Sequence, residues 1–182
     1  MNYVIANGEL YHHGVKGMKW GHRKAVRLEN KVSRKYAKAG QNTGRAEYYR
    51  DKSNSTKAKY ESVAKLFDKQ AKKSDSKGSI FAAEAARRTA TAMRNKGDKA
   101  KAQSDERAAY YEKKASRNMQ KASTYATKKR VDLGKSRVDS ILKDNKKKGY
   151  DYAKASDEWQ QEQDRKERQQ KLNESLASLT NR

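Results

Sequence analysis

The feature that most constrains this chain is its shortage of side chains able to build a core: Leu, Ile, Val and Phe together supply only 20 of 182 residues. Ordering a residue costs about 1 to 2 kcal/mol of backbone conformational entropy, and so few large apolar groups cannot offset that around one globular interior. The same chain has no proline and 24 alanines among many Lys, Glu, Gln and Arg residues, all good helix formers. Helix propensity without a core predicts an all-α fold. The expected form is an elongated, Lys/Ala-rich helical bundle or coiled-coil-like shaft, held by narrow apolar seams and partly disordered in isolation. A small non-helical N-terminal segment, with a β-hairpin signal, precedes it.

Charge divides the chain further. Lys and Arg number 45 against 22 Asp and Glu, a net charge of +23. Residues 31 to 150 hold 34 basic and 13 acidic side chains, whereas residues 151 to 182 hold six and seven. This predicts a head at residues 1–23, a basic helical shaft at 24–150 and a near-neutral amphipathic C-terminal helix at 151–182. Cysteine is absent, which excludes disulfide scaffolds, thiolate metal sites and cysteine nucleophiles. No apolar run approaches the roughly 20 residues that cross a bilayer, and the N-terminus lacks the apolar stretch of a secretory signal. The expectation is a soluble chain that starts in the cytoplasm of the cell that makes it.

Breakers suggest several helices within the shaft. Gly40 and Gly44, the run Ser74 to Ser79, the Asn95-Lys96-Gly97-Asp98 sequence and Gly149 all read as interruptions, leaving helical patterns near 24–39, 45–73, 79–95, 99–148 and 151–179. A bend is expected near Gly134. Apolar spacing places Leu28, Val32 and Tyr36 on one face, and Tyr60, Val63, Phe67 and Ala71 on another. Ala108, Tyr111, Ala115, Met119, Ala122 and Ala126 form a longer seam of small residues, which permits close helix approach but buries little area at each position. The segment containing Tyr48 and Tyr49 matches that containing Tyr110 and Tyr111 at an offset of 62, through compositional bias or duplication of an antiparallel pair.

The first two dozen residues differ in kind. Two short apolar runs flank Asn7-Gly8, the strongest short signal for a two-residue hairpin turn. The glycine-punctuated run from Tyr11 to Lys24 then reads as a compact recognition peptide rather than a helix. Leu10, His12, Gly14, Val15, Gly17, Met18, Lys19, Trp20, Gly21 and Arg23 carry its pattern. This segment resembles a short sequence found in proteins of tailed bacteriophages and prophages, especially those of Gram-positive hosts. The resemblance implies association with the virion or its assembly, with those ten residues docking to another virion protein such as a shell or portal. After Arg23 the chain departs from that pattern and continues through Lys24 and Ala25 into helix.

Chemistry-bearing residues are few. His12, His13 and His22 have no cysteine beside them and only Glu9 as a near acid, so no metal site is expected and no cofactor is implied. Seams this thin offer no desolvated pocket for acid/base work, and the chain reads as a non-enzyme with no small-molecule substrate. The basic shaft points instead to an acidic partner: packaged DNA through sequence-independent phosphate contacts, an acidic shell surface or an anionic membrane. The runs Lys72, Lys73 and Lys77; Lys128, Lys129 and Arg130; and Lys146, Lys147 and Lys148 are the candidate nucleic-acid-binding clusters. Tyrosines at helical spacing fill seams in preference to stacking on bases. Leu172, Leu176 and Leu179 form a short C-terminal stripe that closes the bundle or docks on a partner. The composite expectation is a phage structural or internal virion protein, located in the virion and, during assembly, in the host cytoplasm, with a homo-oligomer left as an open alternative. The rival expectations are a nucleic-acid-binding effector in the host cytoplasm and an assembly scaffold.

Overall fold

A computed structural model describes residues 3–6, 9–12 and 20–180, with side chains from 23 to 176. Strands β1 (Tyr3–Ala6) and β2 (Glu9–His12) pair antiparallel, Tyr3 opposite His12 and Ala6 opposite Glu9. That strand register is the one expected for strands flanking an Asn7-Gly8 signal. Asn7, Gly8 and the run from His13 to Lys19 lie outside the described residues.

Three helices make up the rest: α1 (Trp20–Ser76), α2 (Ile80–Lys129) and α3 (Lys135–Thr180), of 57, 50 and 46 residues. At 1.5 Å rise per residue α1 is about 85 Å long. The expected stop at Ser74 to Ser79 is present. The Ser79 amide donates to the Ser74 carbonyl at 3.0 Å and Gly78 takes φ +72°, so α2 folds back along α1. The second break surrounds Gly134. Arg130 ends α2 in the left-handed region at φ 53°, and the Asp132 side chain accepts from the Gly134 amide at 2.8 Å before α3 begins.

The α1–α2 seam follows a seven-residue repeat of small side chains. Val32, Ala39, Ala46 and Ser53 recur every seventh position of α1 and are all buried, and Ala64 and Ala71 continue the line. Ala83, Ala86, Ala90, Gly97, Ser104, Ala108 and Ala122 are the buried residues of α2. Such helices approach closely, yet their largest fully buried side chains are only Val32 and Ser53. Two of the chain's few large apolar groups stay outside: Ile80 and Phe81, at the apex of the hairpin, are 74% and 90% exposed.

Helix α3 runs parallel to α1 on the face opposite α2, and α2 and α3 make no direct backbone contact. At 100° per residue, Gly40, Gly44 and Tyr48 point away from the Ala39–Ala46–Ser53 line. A Cβ at Gly44 would collide with the backbone of Lys146 and Tyr150, and one at Gly149 with the backbone of Gln41. The two helices therefore touch main chain to main chain, and only glycine fits at these two points.

Several expectations need correction. Gly40, Gly44, Gly97 and Gly149 interrupt nothing; each lies inside a continuous helix where a neighbour presses against it, as Tyr60 does on Gly97. No break separates residues 150 and 151, since α3 runs through that boundary, and Trp20, Gly21 and Arg23, assigned to the non-helical head, form the first turn of α1. The seam register also shifts. Val63 is 38% exposed while Ala64 is fully buried, and Met119 stands at the seam edge. Packing selects the small residue in both places because a larger one would hold the backbones apart.

Candidate nucleic-acid interface

A run of consecutive lysines on a helix splays over roughly 200°, so adjacency in sequence does not make a surface. The three candidate clusters show this. Lys72, Lys73 and Lys77 sit exposed at the hairpin apex, while Lys128, Lys129 and Arg130 end α2 near the opposite end of α1, some 60 Å away by helix rise. Lys146 turns back to pair with Glu47 at 2.9 Å, leaving Lys147 and Lys148 outside on α3. The structure does not bring the clusters together. Of the docking residues, Leu10 and His12 lie in β2; Gly14, Val15, Gly17, Met18 and Lys19 fall outside the described residues; and Trp20, Gly21 and Arg23 open α1.

A different set of basic residues does converge. Arg107, Lys114, Arg117, Lys121 and Lys128 follow one another at steps of seven, three, four and seven, which places them on one face of α2. Tyr110 lies on the same face, with the Lys114 ammonium 5.4 Å from its ring centre. Along this face run two shallow grooves against α1. One is lined by Lys35, Arg117, Lys121, Tyr125 and Lys128 without an acidic residue. The other is lined by Tyr49, Glu106, Arg107, Tyr110 and Tyr111. Lys35 caps the Tyr125 ring at 5.3 Å and Arg107 caps Tyr49 at 5.5 Å, so α1 and α2 share the stripe. The signal was present in the sequence as a three-four alternation of cations, overshadowed by the consecutive lysine runs.

Arg45 closes the stripe on the α3 side. Its guanidinium lies between the Tyr111 ring on α2, at 5.6 Å, and the Tyr152 ring on α3, at 4.7 Å. Its Nε is buried with no hydrogen-bond partner, so ring faces are the contacts that offset its charge there. Tyr49 and Tyr111 stack at 5.8 Å with rings parallel, and the two tyrosine pairs noted in the sequence thus meet across the helices. Burial, the largest influence, raises the Tyr49 hydroxyl above its ordinary range against the lowering effect of Arg107.

The opposite flank carries most of the ion-paired acids, whereas Glu106 stands beside Arg107 on the stripe side. Glu47 follows Arg45 by two positions, about 200° around α1, and pairs with Lys146; Glu29 pairs with Arg137 at 3.2 Å, and Arg50 with Glu112. Tyr150 donates to Asp51 at 3.1 Å. On α2, Asp105 accepts from Lys101 at 2.5 Å and from the Ser53 hydroxyl at 2.6 Å, and those two bonds, Lys101 first, hold its carboxyl below the usual range. Many shaft carboxylates are thus engaged within or between helices, while the cations of the stripe face solvent.

One polar centre is buried between α1 and α3. Asp157 accepts from Lys52, from the Tyr48 hydroxyl at 2.9 Å and from Gln161 at 2.9 Å. Burial alone would raise its carboxyl, but those bonds and the Lys52 charge outweigh it, and the group sits below the ordinary carboxylate range. Tyr48 moves the other way, strongly raised by burial first and then by Asp157. All three partners of this centre are satisfied by protein groups, which marks it as a structural tie. Among the described residues no cluster of His, Asp and Glu has the makings of a metal site, and no helix is long and apolar enough to cross a membrane.

Comparison with known proteins adds one finding. A family model described as a family of unknown function (DUF7211) matches residues 3–27. The match takes in both strands, the glycine-rich run and the start of α1. No curated protein and no solved structure matches the chain.

Proposed function

We propose that this chain is a non-enzymatic, virion-associated phage protein that docks through its N-terminal segment and holds nucleic acid against its helices. The observation that carries the second half is the uneven charge across the helical layer: on one flank acids and cations pair with each other, and the other flank presents five solvent-facing cations with Glu106 as the acid beside them. A surplus of +21 over residues 31 to 150 repels itself, and a polyanion relieves that repulsion while releasing counterions. The first half rests on the resemblance of Leu10 to Arg23 to the phage segment. A family match confined to residues 3–27 fits a module carried by chains with otherwise different bodies.

Purified, nuclease-treated particles of a phage or prophage encoding the chain test the location by mass spectrometry. The protein is expected among the virion proteins, and Trp20→Ala is expected to remove it from particles while leaving total helicity unchanged. Consistent absence of the unsubstituted chain from particles defeats the virion reading. Oligonucleotide binding tests the other half independently: affinity is expected to be measurable at about 50 mM salt and to fall steeply as salt rises.

A further inference from the structure

The polyanion reading leaves the form of the nucleic acid open, and the stripe on α2 distinguishes between forms. From Arg107 to Lys128 it runs along one unbroken helix for about 31 Å by helix rise. The phosphates of a duplex wind about the duplex axis, so a straight rod meets that path only where the backbone crosses it. A single strand is free to follow the rod from end to end.

The aromatic residues point the same way. Most tyrosines near the stripe are seam residues, but Tyr110 is 58% exposed within it, between Arg107 and Lys114, and Tyr152 beyond Arg45 is 62% exposed. An exposed ring is of use to a base only when the base face is uncovered, as in a single strand. Arg45, buried at Nε without an acceptor and facing the same side, supplies a further positive charge behind the rings.

We infer that the α2 stripe is a single-stranded nucleic-acid site, in which Arg107, Lys114, Arg117, Lys121 and Lys128 track the phosphates and Tyr110 stacks on a base. This rests on the polyanion reading above and sharpens it. The site needs no particular base sequence, because every contact named is to a phosphate or to a ring face.

The test is fluorescence anisotropy with the full chain, using a labelled 20-nucleotide oligo-dT and a duplex of the same length. The combined variant Lys114→Gln, Arg117→Gln, Lys121→Gln and Lys128→Gln removes four stripe charges. A matched control, Lys72→Gln, Lys73→Gln, Lys77→Gln and Lys148→Gln, removes four charges elsewhere. The stripe variant is expected to weaken oligo-dT binding at least tenfold and to flatten the log-affinity against log-salt slope by about 3, since each lost contact to a single strand removes about 0.7. The control is expected to change affinity less than threefold. Tyr110→Ala is expected to weaken oligo-dT binding about five- to tenfold and leave duplex binding unchanged, with circular dichroism confirming intact helices for every variant. Equal losses in stripe and control variants, or an unsubstituted chain that prefers the duplex or binds heparin or anionic vesicles as tightly as oligo-dT, overturn the single-strand site while leaving the polyanion reading standing. No binding to any of these probes at about 50 mM salt overturns both.

Discussion

Helix α1 is held on two sides by two different kinds of contact. Against α2 it presents a seven-residue repeat of Ala, Ser and Val over most of its length, with surface ion pairs such as Lys57 to Asp98 at 3.0 Å along the edges. Against α3 it presents two glycines at a close crossing and one buried polar tie at Asp157. The first interface is extended and repetitive, so that no one position decides it. The second is concentrated, and a few residues decide it. A chain short of large apolar groups thus has two routes to helix pairing: many small contacts in register, or a short stretch of backbone contact where side chains are absent.

The difference is sharpest under substitution. Gly44→Leu places a side chain where the Lys146 backbone lies, and is expected to detach α3 at a cost of about 3 kcal/mol while α1 and α2 stay paired. Amide exchange resolved along the chain checks this: faster exchange in α3 with protection kept in α2 supports the concentrated interface, and uniform loss refutes it. Asp157→Asn removes the charge that Lys52 and Tyr48 face and is expected to cost about 1 to 3 kcal/mol by urea denaturation. Its pH dependence has a definite sign. The folded carboxyl lies below its unfolded value of about 3.9, so the contribution is complete above that value and disappears as pH falls through the lower folded value. The variant should therefore lose the part of the acid-destabilisation curve below about pH 4 that Asp157 supplies.

The α1–α2 seam should answer more weakly. Ala64→Gly adds backbone freedom and removes one buried methyl, for an expected loss of about 1 kcal/mol in thermal unfolding. A loss of 3 kcal/mol there would mean that this seam, too, depends on single points. Arg50→Gln breaks a pair with Glu112 at the solvent edge and is expected to cost under about 0.5 kcal/mol, vanishing at high salt.

Much of the helical class was legible, because absence of proline and abundance of alanine act residue by residue. The hairpin register follows from Asn7-Gly8, and both true breaks, near Gly78 and Gly134, carry a glycine with positive φ at a position whose sequence signals a break. What failed was the meaning of the remaining glycines. Gly40, Gly44, Gly97 and Gly149 look locally like those at the turns, and only the partner helix, about 40 or 100 residues away in sequence, makes them contact points. The candidate basic clusters stay apart for a related reason. Lys72 with Lys73, and Lys146 with Lys147 and Lys148, are neighbours in sequence, whereas a helix gathers residues three and four apart. Lys128 alone among the predicted basic residues lies on the α2 stripe, whose other cations, Arg107, Lys114, Arg117 and Lys121, are scattered in sequence and meet only through helical spacing.

The tight reversal at Lys77 to Ser79 also orders events in time. Contacts between α1 and α2 lie only 12 residues apart in sequence at Arg87 and Asp75, and their separation grows steadily toward Lys35 and Tyr125. Loop closure is least costly at the turn, so pairing should begin there and advance like a zip toward the N-terminal end. The α3 contacts join residues 99 to 109 apart, as in Tyr150 with Asp51 and Tyr48 with Asp157. On a growing chain they cannot form until α3 has been made. The α1–α3 interface is then the last joint to close, and the face of α1 that receives α3 remains open to solvent until that moment.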